Sequence, residues 1–534
     1  MVTLHARLGP RAAQTARTAR ARRRVLAIAA LCGGLVAGPQ AALAQSRPDL
    51  PPVVLQALAD AQLPVDALAI AALPLEHRGR PWQVQAGRSM VPGSTMKLVT
   101  SIVALDRLGP NARGFTELRS AARIEPGGTL AGDLVLKGGG DAELGIPQFW
   151  AMLMELREQG VMHIAGNLVV DRTLWRPARL DVGIPPFDEA PEFPYNVIPD
   201  ALQLAGALLP IEFRSDADGR LAARSVPALA GLQFDASAVK PSAVTTAGTT
   251  ACSDWDDDWQ PARVQRTAAG GTVIALQGAF PRGCIVRAEL QLLDRAELTE
   301  RLFRTLWAQL GGRFEGRVLE ADSAPPADTR VLVRRTSRPW GELLRHLNKA
   351  SDNAYTRILY QALGVPAMAA NPGATTAELA DRAVREWLQQ KGISADGLVT
   401  DNGSGLSRKE RIAPQTLAEM LRAAWRGPHR HDLLMSLPTA GVDGTMRNRL
   451  KSGPATGWAR LKTGTLRNAV GLAGVVNDAQ GRPWAVSMMV NHEQHASRGR
   501  AVLDAVVDAM ARGVPGEWAG PDDAMTVGPM GAGP

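Results

Sequence analysis

Three short elements of the 534-residue chain carry side chains able to do chemistry together: Ser94-Thr95-Met96-Lys97, Ser351-Asp352-Asn353 and Lys462-Thr463-Gly464. In the first, Ser and Lys three apart at the start of a helix lie on one face within a turn. The apolar run Met96, Leu98, Val99, Ile102, Val103 and Leu105 predicts a helix buried nearly all round and ended by Gly109-Pro110. A lysine in such a helix loses some preference for its charged form, and a hydroxyl at the helix start sits where backbone amides point outward. Lys97 can then take the Ser94 proton, the activated-nucleophile arrangement of covalent catalysis. A second S-x-x-K, Ser237 to Lys240, is followed by Pro241 and cannot begin a normal helix.

Ser351 and Asn353 are two apart between two helical patterns, so in a loop their side chains can point into one cleft. A serine there can relay a proton to a leaving group, and an asparagine can bond a substrate amide. Lys462-Thr463-Gly464 precedes Thr465 and a predicted hairpin, Leu472 to Val476 and Trp484 to Val490; glycine would let a substrate strand approach, and Lys462 could hold an anion. Taken singly, each element is commonplace as a capped helix start, a helix cap or a turn. Other constellations carry less. His492-Glu493-Gln494-His495 is not H-E-x-x-H, so no metal is expected. Gly403-Ser404-Gly405 falls one residue short of a G-x-S-x-G elbow, and Asp256 to Asp258 reads as a solvated acidic loop.

In this order, the three elements resemble the motifs S-x-x-K, S-x-N and K-T-G of the penicilloyl serine transferases. Class A β-lactamases keep the first two motifs close together, whereas here a long segment separates Ser94 from Ser351. That spacing resembles the D-alanyl-D-alanine carboxypeptidases of the penicillin-binding protein 4 type, the S13 peptidases. So do PGSTMKLVTS, GDLVLKGGGD from Gly132, KASDNAYTRIL from Lys349, DNGSGLSRKERIAP from Asp401, SLPTAGVDGTMRNRL from Ser436 and RLKTGTL from Arg460. One departure is Glu410, where the resemblance implies Asn.

The resemblance implies a transpeptidase-like α/β (α+β) fold: an antiparallel sheet flanked by helices, with inserted β-rich subdomains. It implies hydrolysis of peptidoglycan stem peptides through an acyl-serine, with DD-endopeptidase action besides, acylation by β-lactam antibiotics, and no metal or organic cofactor. Ser94 would be the nucleophile and Lys97 its base. Ser351, Asn353 and Lys462 would complete the polar cluster, and Thr463, Gly464 and Thr465 would bind substrate. Two alternatives stay open: a β-lactamase, and a catalytically silent murein-binding scaffold.

The elements that must position these residues divide the chain into a transpeptidase-like part at 45–116 and 323–517, a β-like insertion at 117–322, and a disordered tail at 518–534. AGDLVLKG from Ala131 and AGNLVVDR from Ala165 read as two versions of one strand unit within the insertion. Residues 1–44 hold seven arginines and no acid, then an apolar run of about 12 residues, too short to span a bilayer, and Ala42-Leu43-Ala44, which together read as a secretory signal. Its route, Sec or twin-arginine, stays open. Beyond it remain 53 basic against 52 acidic residues of the 60 and 52 in the whole chain, so nucleic-acid binding is not expected. The predicted location is the periplasm, with membrane association at most peripheral. Of the three cysteines, Cys252 and Cys284 survive cleavage, and in an oxidising compartment they predict one disulfide.

Overall fold

Five antiparallel strands make the sheet on which the site is built. In the computed structural model their order is Arg460–Leu466, Ala469–Asn477, Pro483–Asn491, Leu68–Pro74 and Trp82–Val84. The structure describes residues 50–513 except 188–189, 243–250, 269 and 325–327. The predicted signal and tail lie outside the described residues. Side chains alternate across a strand, and both faces here are covered. Leu68, Ile70, Ala72, Leu472 and Val486 pack with Val54, Leu58, Val502 and Val506 of the helices Pro52–Asp60 and Gly499–Ala511. Ala69, Ala473, Ala485 and Met489 face a second core with helices Lys97–Arg107 and Pro414–Arg426. The helix Lys97–Arg107 is buried from Lys97 through Leu105, as its all-round apolar sequence requires. Among the described residues no helix is long and apolar enough to cross a membrane.

Between the two sequence portions of this sheet, the strands Phe115–Ser120 through Arg330–Thr336 build sheets of their own. The first and last of them are antiparallel neighbours, so the chain leaves and returns at one place. The two similar segments from Ala131 and Ala165 become parallel neighbours, Leu134–Gly139 and Leu168–Asp171, with Leu134 opposite Leu168. A third layer joins them: Val318–Glu320 runs parallel to Leu168–Asp171 with Val318 opposite Leu168. Its sequence, EGRVLE from Glu315, keeps only the glycine and two apolar residues of the unit, which is why the repeat reads as two copies. Two helices, Ile146–Glu158 and Arg295–Gln309, supply Phe149, Leu153, Leu302, Phe303 and Trp307 to the core of this region. The Gly- and Pro-broken texture of the sequence hides them, although Asp294 caps the second by accepting from the Ala296 amide.

Cys252 and Cys284 are joined in a disulfide spanning 32 residues of sequence. It lies beside an aromatic cluster of Phe213, Trp255, Trp259 and Phe280. Closing a loop of that length restricts the unfolded chain, so Cys252→Ser with Cys284→Ser is expected to cost about 2 to 4 kcal/mol in denaturant titrations. Unchanged stability, or thiol titre in the denatured, non-reduced protein, would count against the bond.

Candidate active site

The nucleophile turn comes first. Gly93–Met96 is a single 3-10 turn that runs directly into the helix Lys97–Arg107, and it leaves Ser94 half-buried. Lys97 is fully buried one turn on. Its Nζ donates to Ser94 Oγ at 3.1 Å, to Asn353 Oδ1 at 2.6 Å and to the Ser404 carbonyl at 2.5 Å. Burial brings its pKa down to about 7, partly offset by the nearby negative charges of Glu410 and Asp352 and reinforced by the Arg357 guanidinium.

The second motif sits at a helix junction. Ser351 closes the helix Trp340–Ala350 in the left-handed conformation, φ 60°, and Asp352 starts the next helix by accepting from the Tyr355 amide at 2.8 Å. The abrupt turn sends Ser351 toward Lys462 and Asn353 toward Lys97. Asn353 also donates through Nδ2 to the Tyr195 carbonyl at 2.8 Å, tying the inserted region to the cleft.

The third motif lies within the strand Arg460–Leu466, ahead of the hairpin Ala469–Asn477 and Pro483–Asn491. Lys462 is fully buried, and its Nζ donates to Ser351 Oγ at 2.8 Å and to the Thr463 carbonyl at 2.9 Å. Burial, then the charge of Lys97, holds its pKa well below that of a free lysine. Thr463 is half-buried with its hydroxyl 2.8 Å from that of Thr445, and Thr465 is exposed at the mouth. This strand ends the sheet; its outer edge is bridged by Thr439 at Arg460 and by the Pro438 carbonyl at Leu461, and beyond them it pairs with no other strand among the described residues and can take an extended peptide. Gly464 has a nearer neighbour than substrate: a Cβ there would lie 2.4 Å from the Pro92 carbonyl oxygen and 3.0 Å from the Ser94 nitrogen. Glycine is thus required for the edge strand to touch the nucleophile turn.

Ser94, Lys97, Ser351, Asn353 and Lys462 therefore lie in one polar cluster. Ser94 and Asn353 meet on Lys97, and Ser351 meets Lys462. Thr463, Gly464 and Thr465 form its rim, and Cys252 and Cys284 are elsewhere. The sequence reading missed the carbonyls of Ser404 and Tyr195, the Thr445 hydroxyl, and the part Glu410 plays. Only Glu410 left a signal, its departure from Asn. Chemically the cluster offers a hydroxyl beside a lysine tuned near neutrality, a second hydroxyl beside a second lysine, and an open strand edge. That set suits acyl transfer from an extended peptide.

Comparisons with known proteins agree with the geometry. Residues 53–512 match the model of the D-Ala-D-Ala carboxypeptidase 3 (S13) family. The chain is 30% identical over 441 residues to a D-alanyl-D-alanine carboxypeptidase of Actinomadura sp. (strain R39), covering 80% of this chain and 77% of that one. It is 27% identical over 416 residues to D-alanyl-D-alanine carboxypeptidase DacB of Haemophilus influenzae, covering 75% of this chain and 80% of the relative. The crystal structure of penicillin binding protein 4 (dacB) from Haemophilus influenzae shares the fold, with a TM-score of 0.68 and 23% identity over 85% of this chain and 97% of that one. With a match running through nearly all of the described residues, the chain belongs to the D-Ala-D-Ala carboxypeptidase 3 (S13) family.

Proposed function

We propose that the protein removes the terminal D-Ala of peptidoglycan stem peptides, and cleaves peptide cross-links, with Ser94 as nucleophile and Lys97 as its base. Family membership makes the chain a serine-type D-Ala-D-Ala carboxypeptidase. The observation that carries the residue assignment is the Lys97 amine, 3.1 Å from Ser94 Oγ with a pKa of about 7. Ser94 Oγ attacks the carbonyl carbon of the penultimate D-Ala as its proton passes to Lys97. The C–N bond then breaks, and the departing D-Ala nitrogen takes a proton from Ser351, which recovers one through Lys462 as Lys97 gives up the proton it took from Ser94. Water hydrolyses the resulting ester and regenerates Ser94.

The oxyanion is held by the backbone N–H groups of Ser94 and Thr465, each worth about 3 to 4 kcal/mol in comparable enzymes. Their segments touch, since a Cβ on Gly93 would be 3.0 Å from the Thr465 nitrogen. The Thr463 and Thr465 hydroxyls bind the substrate carboxylate, or that of a penicillin. The Haemophilus influenzae protein has also been solved in complex with a β-lactam, which supports acylation by such compounds here. The arginine-dense leader supports export to the periplasm, and the sheet and core boundaries support a transpeptidase-like domain interrupted by an inserted region.

Intact mass followed over time with excess benzylpenicillin, beside D-Ala release from a stem peptide, tests this reading. One lasting adduct on the peptide carrying Ser94, with D-Ala released by the free enzyme, is expected. A transient adduct with penicillin consumed would favour a β-lactamase, and no adduct a silent scaffold.

A further inference from the structure

Glu410 belongs to none of the three motifs, yet it is fully buried beneath them. Its Oε1 accepts from the backbone amides of Asp401, Asn402 and Gly403 at 3.2, 3.1 and 2.7 Å, and its Oε2 accepts from Gly405 at 2.7 Å. All four donors are N–H groups, an arrangement that suits the acceptor-only carboxylate. Asparagine, one methylene shorter and with a single oxygen, would turn an NH2 toward some of these donors. The loop gathered this way presents two contacts to the catalytic cluster. The Ser404 carbonyl accepts from Lys97 Nζ at 2.5 Å, and Gly405 lies so close to the nucleophile turn that a Cβ on it would be 1.8 Å from the Gly93 oxygen.

We propose that Glu410 is a positioning residue for acylation: its carboxylate gathers residues 401–405 so that the Ser404 carbonyl meets Lys97 and Gly405 braces the Ser94 turn, and its negative charge acts on the lysine across that loop. The proposal rests on the reading of Lys97 as the base. The charges around the pair are few. Glu410 and Asp352 favour the Lys97 ammonium, Arg357 opposes it, and Lys462 lies across the cleft. Glu410 itself faces Asp401, Arg357 and the Tyr360 hydroxyl. Burial holds its carboxyl above the usual range, an effect that the amides of Gly403, Asp401 and Gly405 offset only in part and that the Asp401 charge reinforces.

The sign of the effect follows. The base works when neutral, so acylation rises with pH through the Lys97 pKa. Removing a negative charge that favours the ammonium lowers that pKa and moves the acid limb to lower pH. Loss of a purely structural residue would lower stability or rate and leave the limb in place.

The test is the acylation rate of the purified full chain with a fluorescent penicillin from pH 5 to 9, for wild type, Glu410→Gln, Glu410→Asn and Glu410→Asp. We expect the two neutral variants to move the limb down by roughly one pH unit. Their maximal rate should fall roughly tenfold or more from misplacement of the lysine. Glu410→Asp keeps the charge and should keep the limb, with a reduced maximum. An unmoved limb in the neutral variants, or an equal movement in Glu410→Asp, overturns the proposal. Should neither neutral variant fold, Glu410→Asp decides alone: a wild-type maximum, or a reduced maximum that merely follows a lowered melting temperature, overturns it, and a reduced maximum at wild-type thermal stability with the limb in place upholds it. The underlying reading fails separately, if Lys97→Met acylates with the same limb as wild type.

Discussion

Ser94→Ala, Lys97→Met and the double variant are each expected to lose D-Ala release by about 10⁶-fold, the double no worse than the singles. The reason is that hydroxyl and amine act as one device. Without Oγ there is nothing to acylate, and without Nζ the Ser94 proton loses the amine hydrogen-bonded to its oxygen. Methionine keeps the length and apolar bulk of the lysine stem, so Lys97→Met tests the amine more than the packing. It also deprives Asn353 Oδ1 and the Ser404 carbonyl of the donor they share. In wild type, acylation should rise tenfold per pH unit below about 7 and level above it, because the base with a pKa of about 7 must first lose its proton. A double variant far worse than either single would mean that the two groups act independently. A flat profile between pH 5 and 8 would mean that another group takes the proton.

The parts of this site that a reader of the sequence can find are those written in side chains at short spacing. Ser94 and Lys97 declare themselves because three residues on a helix are neighbours whatever the rest of the fold does. The pairing of Lys97 with Asn353, and of Lys462 with Ser351, depends on a sheet that joins the two ends of the chain around a large insertion; no local rule predicts it, and only the order of the motifs pointed there. The Ser404 and Tyr195 carbonyls left no trace, because any residue supplies the same carbonyl oxygen. Gly464 was legible as a place of close approach, but the sequence suggested substrate as the visitor, whereas the nucleophile turn is already there. In the insertion the first two strand units were legible because they kept G-x-L-V, and the third was not, because Val318-Leu319 swaps the order of its apolar pair.

Gly405→Ala is expected to reduce acylation more than 100-fold and to destabilise the fold by about 3 kcal/mol or more, by two effects that a control can separate. Gly405 has φ +79°, which costs an L-residue about 1 kcal/mol by itself. Gly481, with φ +77° in an exposed turn and no atom within 4 Å of where a Cβ would sit, carries that cost alone. Gly481→Ala should therefore lose about 1 kcal/mol and leave acylation unchanged. At Gly405 the added carbon would also fall 1.8 Å from the Gly93 oxygen and 2.8 Å from the Ser94 Cα, both backbone atoms that no rotamer change can move aside. Either the Ser94 turn shifts or residues 403–405 withdraw and carry the Ser404 carbonyl away from Lys97, and a displacement of about 1 Å at a nucleophile is enough for the expected rate loss. Thermal melting and penicillin acylation on both variants give the comparison. If Gly405→Ala acylated like Gly481→Ala, the loop that Glu410 gathers would not be bracing the nucleophile, and the positional half of the Glu410 proposal would fall with it.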